Sequence, residues 1–195
     1  MILTTLRSLC CALTLGLPWL TAVAAGAAPD AAARTAAAAE VQALMRQGDL
    51  PAALLRARSA SEAEPGNPGL RFVQGVILLD LKRDTEALAL FIGLTQEFPA
   101  LSEPYNNIAL LHARAGHWDA ARVALEDALR NDPGYRIARE NLGDVHLQLA
   151  LLAWDTAASG PAGSAPNAPL QRKLRLGRDL AQANSLAAKA AGPTR

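Results

Sequence analysis

The chain is poor in several things, and each shortage narrows what it can be. Of 195 residues only two are cysteine, Cys10 and Cys11, both inside an apolar N-terminal stretch. A chain whose remainder holds no cysteine has no disulfide framework and no thiol chemistry there. Aromatic residues make up only 4% of the whole, although hydrophobic residues reach 51%. Alanine and leucine fill the difference, and both are strong helix formers. Runs rich in Val, Ile, Thr and aromatics, which would signal strands, are missing. Charge of one sign is missing too: 19 basic side chains face 18 acidic ones. No basic excess marks a nucleic-acid footprint. The expectation is an all-helical protein whose helices approach closely over small side chains.

The N-terminus reads as a secretory signal over residues 1–27. Arg7 and the terminal amine supply a small positive region. Leu9 to Leu17 form a charge-free apolar core, and Pro18 ends it. Two small-x-small sites follow, Ala22-Val23-Ala24 and Ala25-Gly26-Ala27, so cleavage after either Ala24 or Ala27 fits. Removal takes out Arg7 and balances the remaining charge. The alternative is an uncleaved membrane anchor, because the charge-free run from Ser8 to Pro29 approaches the ~20 residues a span needs.

Beyond this segment the chain repeats every 34 residues. Pro65, Pro99 and Pro133 keep that spacing, as do Ala53, Ala87 and Ala121. Val41, Gly75, Ala109 and Gly143 form a third column, and Leu44, Leu78, His112 and His146 a fourth. Such a period belongs to helix–turn–helix solenoids.

The clearest unit runs from Ser102 to Tyr135, and it resembles the tetratricopeptide repeat nearly column by column. Tyr105 holds the early large position. Ile108 and Ala109 stand where Leu-Gly is usual, and Gly116 is the turn glycine. Trp118 follows the turn, Ala121, Leu125 and Ala128 carry the second helix, and Pro133 closes the unit. Small residues at Ala109 and Ala121 let two helices come close. Gly116 permits the left-handed conformation that ends a helix. Two weaker units precede it, over residues 34–67 and 68–101. In the second, Lys82 occupies the turn-glycine column, which implies a looser turn, and Phe72 sits one place late. A partial fourth unit starts at Arg136 and continues as one long helix to about Ala158. The fold class expected is therefore an all-α solenoid of tetratricopeptide-type repeats over residues 34–158.

Residues 159–169 then read as a linker of small residues and prolines. Residues 170–191 read as a C-terminal helix, with Leu170, Leu174, Gly177, Leu180 or Ala181, and Asn184 along one face. Its first half is basic through Arg172, Lys173, Arg175 and Arg178. Two roles remain open for it: capping the array, or acting as a basic amphipathic segment toward a partner or an anionic surface.

No catalytic constellation stands out, and the chain is read as a non-enzyme without metal or cofactor. His112 and His146 share a column but lack a third ligand, and each replaces a packing tyrosine. The resemblance places function in the concave surface lined by the first helices. The positions it assigns there are Phe72 and Val76 in the second repeat, Asn106, Asn107, Leu110 and Arg114 in the third, and Asn141, Asp144 and Gln148 in the fourth. Asparagine amides can bond an extended backbone through both donor and acceptor, although Asn107 and Asn141 lie in a column where the family often carries Asn for the fold. The reading is an exported, periplasmic interaction or adaptor module that binds a peptide or helix of a protein partner. Neither nucleic acid nor a small-molecule substrate is expected. The alternative is a membrane-associated assembly subunit, held by an uncleaved N-terminus or by the basic C-terminal helix.

Overall fold

The computed structural model describes residues 31–159 and 168–191. The signal segment, its two cleavage sites and residues 160–167 of the expected linker lie outside the described residues. The described chain folds into α1 (Ala31–Gln47), α2 (Leu50–Ala63), α3 (Pro68–Asp80), α4 (Asp84–Glu97), α5 (Ser102–Arg114), α6 (Trp118–Asn131), α7 (Arg136–Ala158) and α8 (Ala168–Ala191). It contains no strand. Each helix packs against the next in the chain, which is the layout of a solenoid. None of the described helices is long and apolar enough to cross a membrane.

The repeating columns become interfaces. Ala53, Ala87 and Ala121 are each wholly buried at the start of a second helix. A methyl side chain there brings two backbones together at little entropic cost. Gly75 goes further: a Cβ built on it would stand 2.5 Å from the ring of Phe91. The second repeat thus gains room for a large aromatic by giving up a side chain opposite it. Phe91 is fully buried, which stabilises the array by about 1.5–3 kcal/mol relative to an exposed ring. The main apolar core runs from Val41 of α1 to Val145 of α7, and a small second cluster joins Ala37, Ala60 and Leu70.

The turn inside each repeat is built the same way three times, and this corrects one expectation. Gly48 and Gly116 take φ of 80° and 76°, and Lys82 takes φ of 61°. Gly48 N–H bonds Met45 O, and Asp49 N–H bonds Leu44 O. Lys82 and Arg83 donate to Leu79 and Leu78, and Gly116 and His117 to Ala113 and His112, in the same pattern. These paired bonds satisfy the last carbonyls of the first helix. The Lys82 turn is therefore not loosened: hydrogen bonding holds a non-glycine residue in the left-handed region.

Repeat boundaries rest on side-chain bonds to the closing prolines. Tyr105 Oη donates to Pro99 O at 3.3 Å, and Asn131 Nδ2 donates to the same carbonyl at 2.7 Å. One repeat later, Arg139 fills the Tyr105 column and donates to Pro133 O. Caps add local definition. Asp49 accepts from Ala52 N–H, and Asn67 accepts from Gly69 N–H just before Pro68 opens α3.

Candidate functional site

The first helices of the repeats present the columns that the sequence assigned to the concave surface. The structure brings four of those residues together. Leu110 of α5 and Asn141, Asp144 and Gln148 of α7 line one cavity of ≈ 260 Å³. Trp118 and Leu125 of α6 form its apolar floor, and Ala181 and Asn184 of α8 complete its rim. Leu110 is 38% exposed, part of a largely apolar lining that Asn141, Asp144, Gln148 and Asn184 edge with polar groups. Helical spacing explains the cluster: residues 141, 144 and 148 fall on one stripe of α7.

The remaining residues are placed differently. Asn106 is buried, and its Oδ1 accepts from Asn141 Nδ2 at 2.8 Å. This bond joins the third repeat to the fourth. Asn107 is half-buried, and its Nδ2 donates to Glu103 O on its own helix at 3.0 Å. Arg114 is exposed at the far end of α5 and pairs with Asp84 at 3.3 Å, linking α5 to the start of α4. In the second repeat, Phe72 leans on Phe91, with ring centroids 5.7 Å apart. Both Phe72 and Val76 are half-buried against the core. They do not line the α5–α7 cavity.

Electrostatics around the array is local. Arg71 reaches Glu97 at 2.5 Å and ties α3 to α4. The Arg71 hydrogen bond lowers the Glu97 pKa below its ordinary value. Burial, then the charges of Glu103 and Asp132, raise the Tyr135 phenol above its ordinary value. His146 is exposed, and His112 has His117 as its ring neighbour at 6.1 Å. Among the described residues no group of three or more His, Cys, Asp or Glu side chains could hold a metal ion. The arrangement offers shape, amides and an exposed leucine.

Sequence reasoning did not assign Ala109, Ala113, Trp118, Ala181 or Asn184 to this cavity. The first three are packing columns of the repeat. The last two belong to the seam of α8, whose spacing was visible although its docking place was not.

No curated protein matches the chain in sequence. Among solved structures, the first tetratricopeptide domain of Spaghetti (RPAP3), bound to the HSP90 peptide SRMEEVD, is similar with a TM-score of 0.56 and 17% identity, covering 62% of this chain and 96% of that one. The first such domain of human RPAP3 gives 0.55 and 17%, over 60% of this chain and 92% of that one. The Sgt2 domain from Aspergillus fumigatus gives 0.60 and 15%, over 70% and 90%. At these identities the likeness speaks to fold alone. The tetratricopeptide repeat family model matches residues 38–101 and 106–158, more than half of the sequence. Periodic columns, the repeated turn and this match lead to one conclusion: the chain belongs to the tetratricopeptide repeat family.

Proposed function

We propose that this chain is an exported interaction or adaptor module, working in the periplasm, that binds a protein partner on its concave surface. The observation that carries the reading is the convergence of Leu110, Asn141, Asp144 and Gln148 on one cavity. An exposed leucine among carboxylate and amide groups suits a partner segment with one apolar anchor flanked by polar groups. The similar solved domain bound to an HSP90 peptide supports a peptide-binding role for this fold. Export is supported by the charge-free apolar stretch Leu9–Leu17 and the small-residue sites behind it.

The test is affinity capture from the periplasm with the chain as bait, beside Leu110→Glu and Gln148→Glu variants and a Val123→Glu control. Val123 is exposed on α6, among the second helices. One protein should be enriched by the unaltered chain and by the control and lost from both groove variants. Retention of that protein by all variants places binding elsewhere. Recovery of the chain in the cytoplasm alone removes the periplasmic part of the reading.

A further inference from the structure

α8 is not the missing second helix of the fourth repeat. In α3, the Gly75 column faces the second helix of its own repeat at the Phe91 ring. The equivalent residue of α7 is Gly143, where an added Cβ would meet nothing within 4 Å. Arg139 and His146, on the same side of α7, are exposed. That side is bare.

α8 lies instead on the other side, against the groove-lining stripe. Asn184 Nδ2 donates to Asp144 Oδ1 at 2.6 Å. Gly177 sits so close to α7 that a Cβ would stand 2.8 Å from Leu151 Cδ2 and 3.1 Å from the Trp154 ring. Arg178 pairs with Asp155 at 2.5 Å. Asp144, Gln148, Leu151 and Asp155 form a single row on α7, at i, i+4, i+7 and i+11. The row starts with two residues assigned to the concave surface and is the one α8 covers. α8 runs antiparallel to α7, since residue 184 meets residue 144 and residue 178 meets residue 155.

The docking buries few of α8's side chains. Leu174 and Gly177 are buried, while Leu176 and Leu180 are 57% and 53% exposed. The Asn184–Asp144 and Arg178–Asp155 pairs are at the surface, where such pairs contribute little. Leu174 and Gly177 are the buried ones among the α8 residues whose side chains are described, whereas α3 and α5 each bury six.

We propose that α8 is a resident and displaceable occupant of the groove, and that the partner presents an α-helix with the same kind of seam. That seam is an apolar residue, then a small residue three places on, a small residue seven places on and an amide ten places on, as in Leu174, Gly177, Ala181 and Asn184. The small residues let the incoming helix sit close to Leu151 and Trp154, and the amide reaches Asp144. The inference rests on the concave surface being the binding site. It adds the shape of the ligand and the competition that controls access.

The test uses the full chain and a fluorescently labelled synthetic peptide of residues 168–191. Arg178→Glu combined with Asn184→Asp sets like charges against Asp155 and Asp144, and loosens α8 without touching the repeat core. Gly177→Leu loosens it by steric clash. Circular dichroism confirms that each variant keeps its helices. The peptide should bind both variants at least about 10-fold more tightly than the unaltered chain, because a tethered competitor acts at a high effective concentration. Adding Gln148→Glu to either variant should remove that binding. Equal affinity for all chains, or binding to none, overturns the proposal and makes α8 a fixed part of the array. This outcome is separate from failure of the groove reading. Loss of a captured partner on Leu110→Glu is scored without the peptide, so either result can fail while the other stands.

Discussion

Asn141 Nδ2 donates to Oδ1 of the buried Asn106 across 2.8 Å, so the two amides best suited to hold a ligand are spent partly on each other. The bond spans the seam between α5 and α7. Removing Asn141 leaves a carbonyl oxygen without its protein partner, at a cost of about 1–3 kcal/mol. Asn141→Ala should lower the urea midpoint by a corresponding amount with an unchanged slope. Any binding defect of that variant must therefore be read beside its stability. Leu110→Glu and Gln148→Glu are the cleaner probes of recognition.

The left-handed turn gives a prediction with a favourable sign. Lys82 holds φ of 61° in the column where Gly48 and Gly116 do the same at 80° and 76°. A side chain in this region costs on the order of 1 kcal/mol, partly offset by the greater freedom glycine has when unfolded. Lys82→Gly should raise stability by roughly 0.5 kcal/mol. Gly116→Ala should lower it by a similar amount, roughly 0.5 kcal/mol. Chemical denaturation of the three chains measures both.

One column should respond in opposite directions at two of its members. Gly75→Ala drives a methyl group into the Phe91 ring, 2.5 Å away. Phe91 is fully buried and has little freedom to retreat, so the loss is of order 1–3 kcal/mol. Gly143→Ala meets open space within a long helix. Helix propensity then favours alanine by about 0.5–1 kcal/mol. Thermal melts of both variants decide it. Destabilisation at Gly143 would contradict the bare face of α7.

Much of the fold was legible because repeats expose their own logic. Ala53, Ala87 and Ala121 recur at 34 residues because each sits where two backbones meet with no room for more than a methyl group. The closing prolines recur because a helix must stop there. Lys82 was misread for a physical reason: residue type predicts the ease of a left-handed turn, whereas the turn's own bonds, from Lys82 and Arg83 N–H to Leu79 and Leu78 O, hold a lysine there. The α8 seam was legible from Leu174, Gly177, Ala181 and Asn184, but a seam states what a helix buries and not which face receives it. The choice between the two sides of α7 depends on tertiary contacts with Leu151, Trp154 and Asp144. Within the site, Leu110, Asn141, Asp144 and Gln148 converge, whereas Phe72 turns to a partner, Phe91, that lies on another helix and is invisible to position-by-position assignment.

An acid-side effect follows from Arg71 and Glu97. The hydrogen bond from Arg71 lowers the Glu97 pKa, so its contribution to stability is present above the ordinary carboxylate range. It is lost as pH falls through the depressed folded value. Glu97→Gln should therefore narrow the gap to the unaltered chain as pH is lowered, in paired denaturation curves. A gap that widens toward acid pH would contradict the assigned pairing.

The central claim is that partners meet this chain on the concave surface at α5 and α7. A photo-crosslinking amino acid placed at Leu110, and separately at Val123 on α6, tests it in intact cells. The account predicts a specific crosslinked protein from position 110 and none from position 123. The same adduct from position 123 but not from position 110 would contradict it, and would move the binding surface to the second helices.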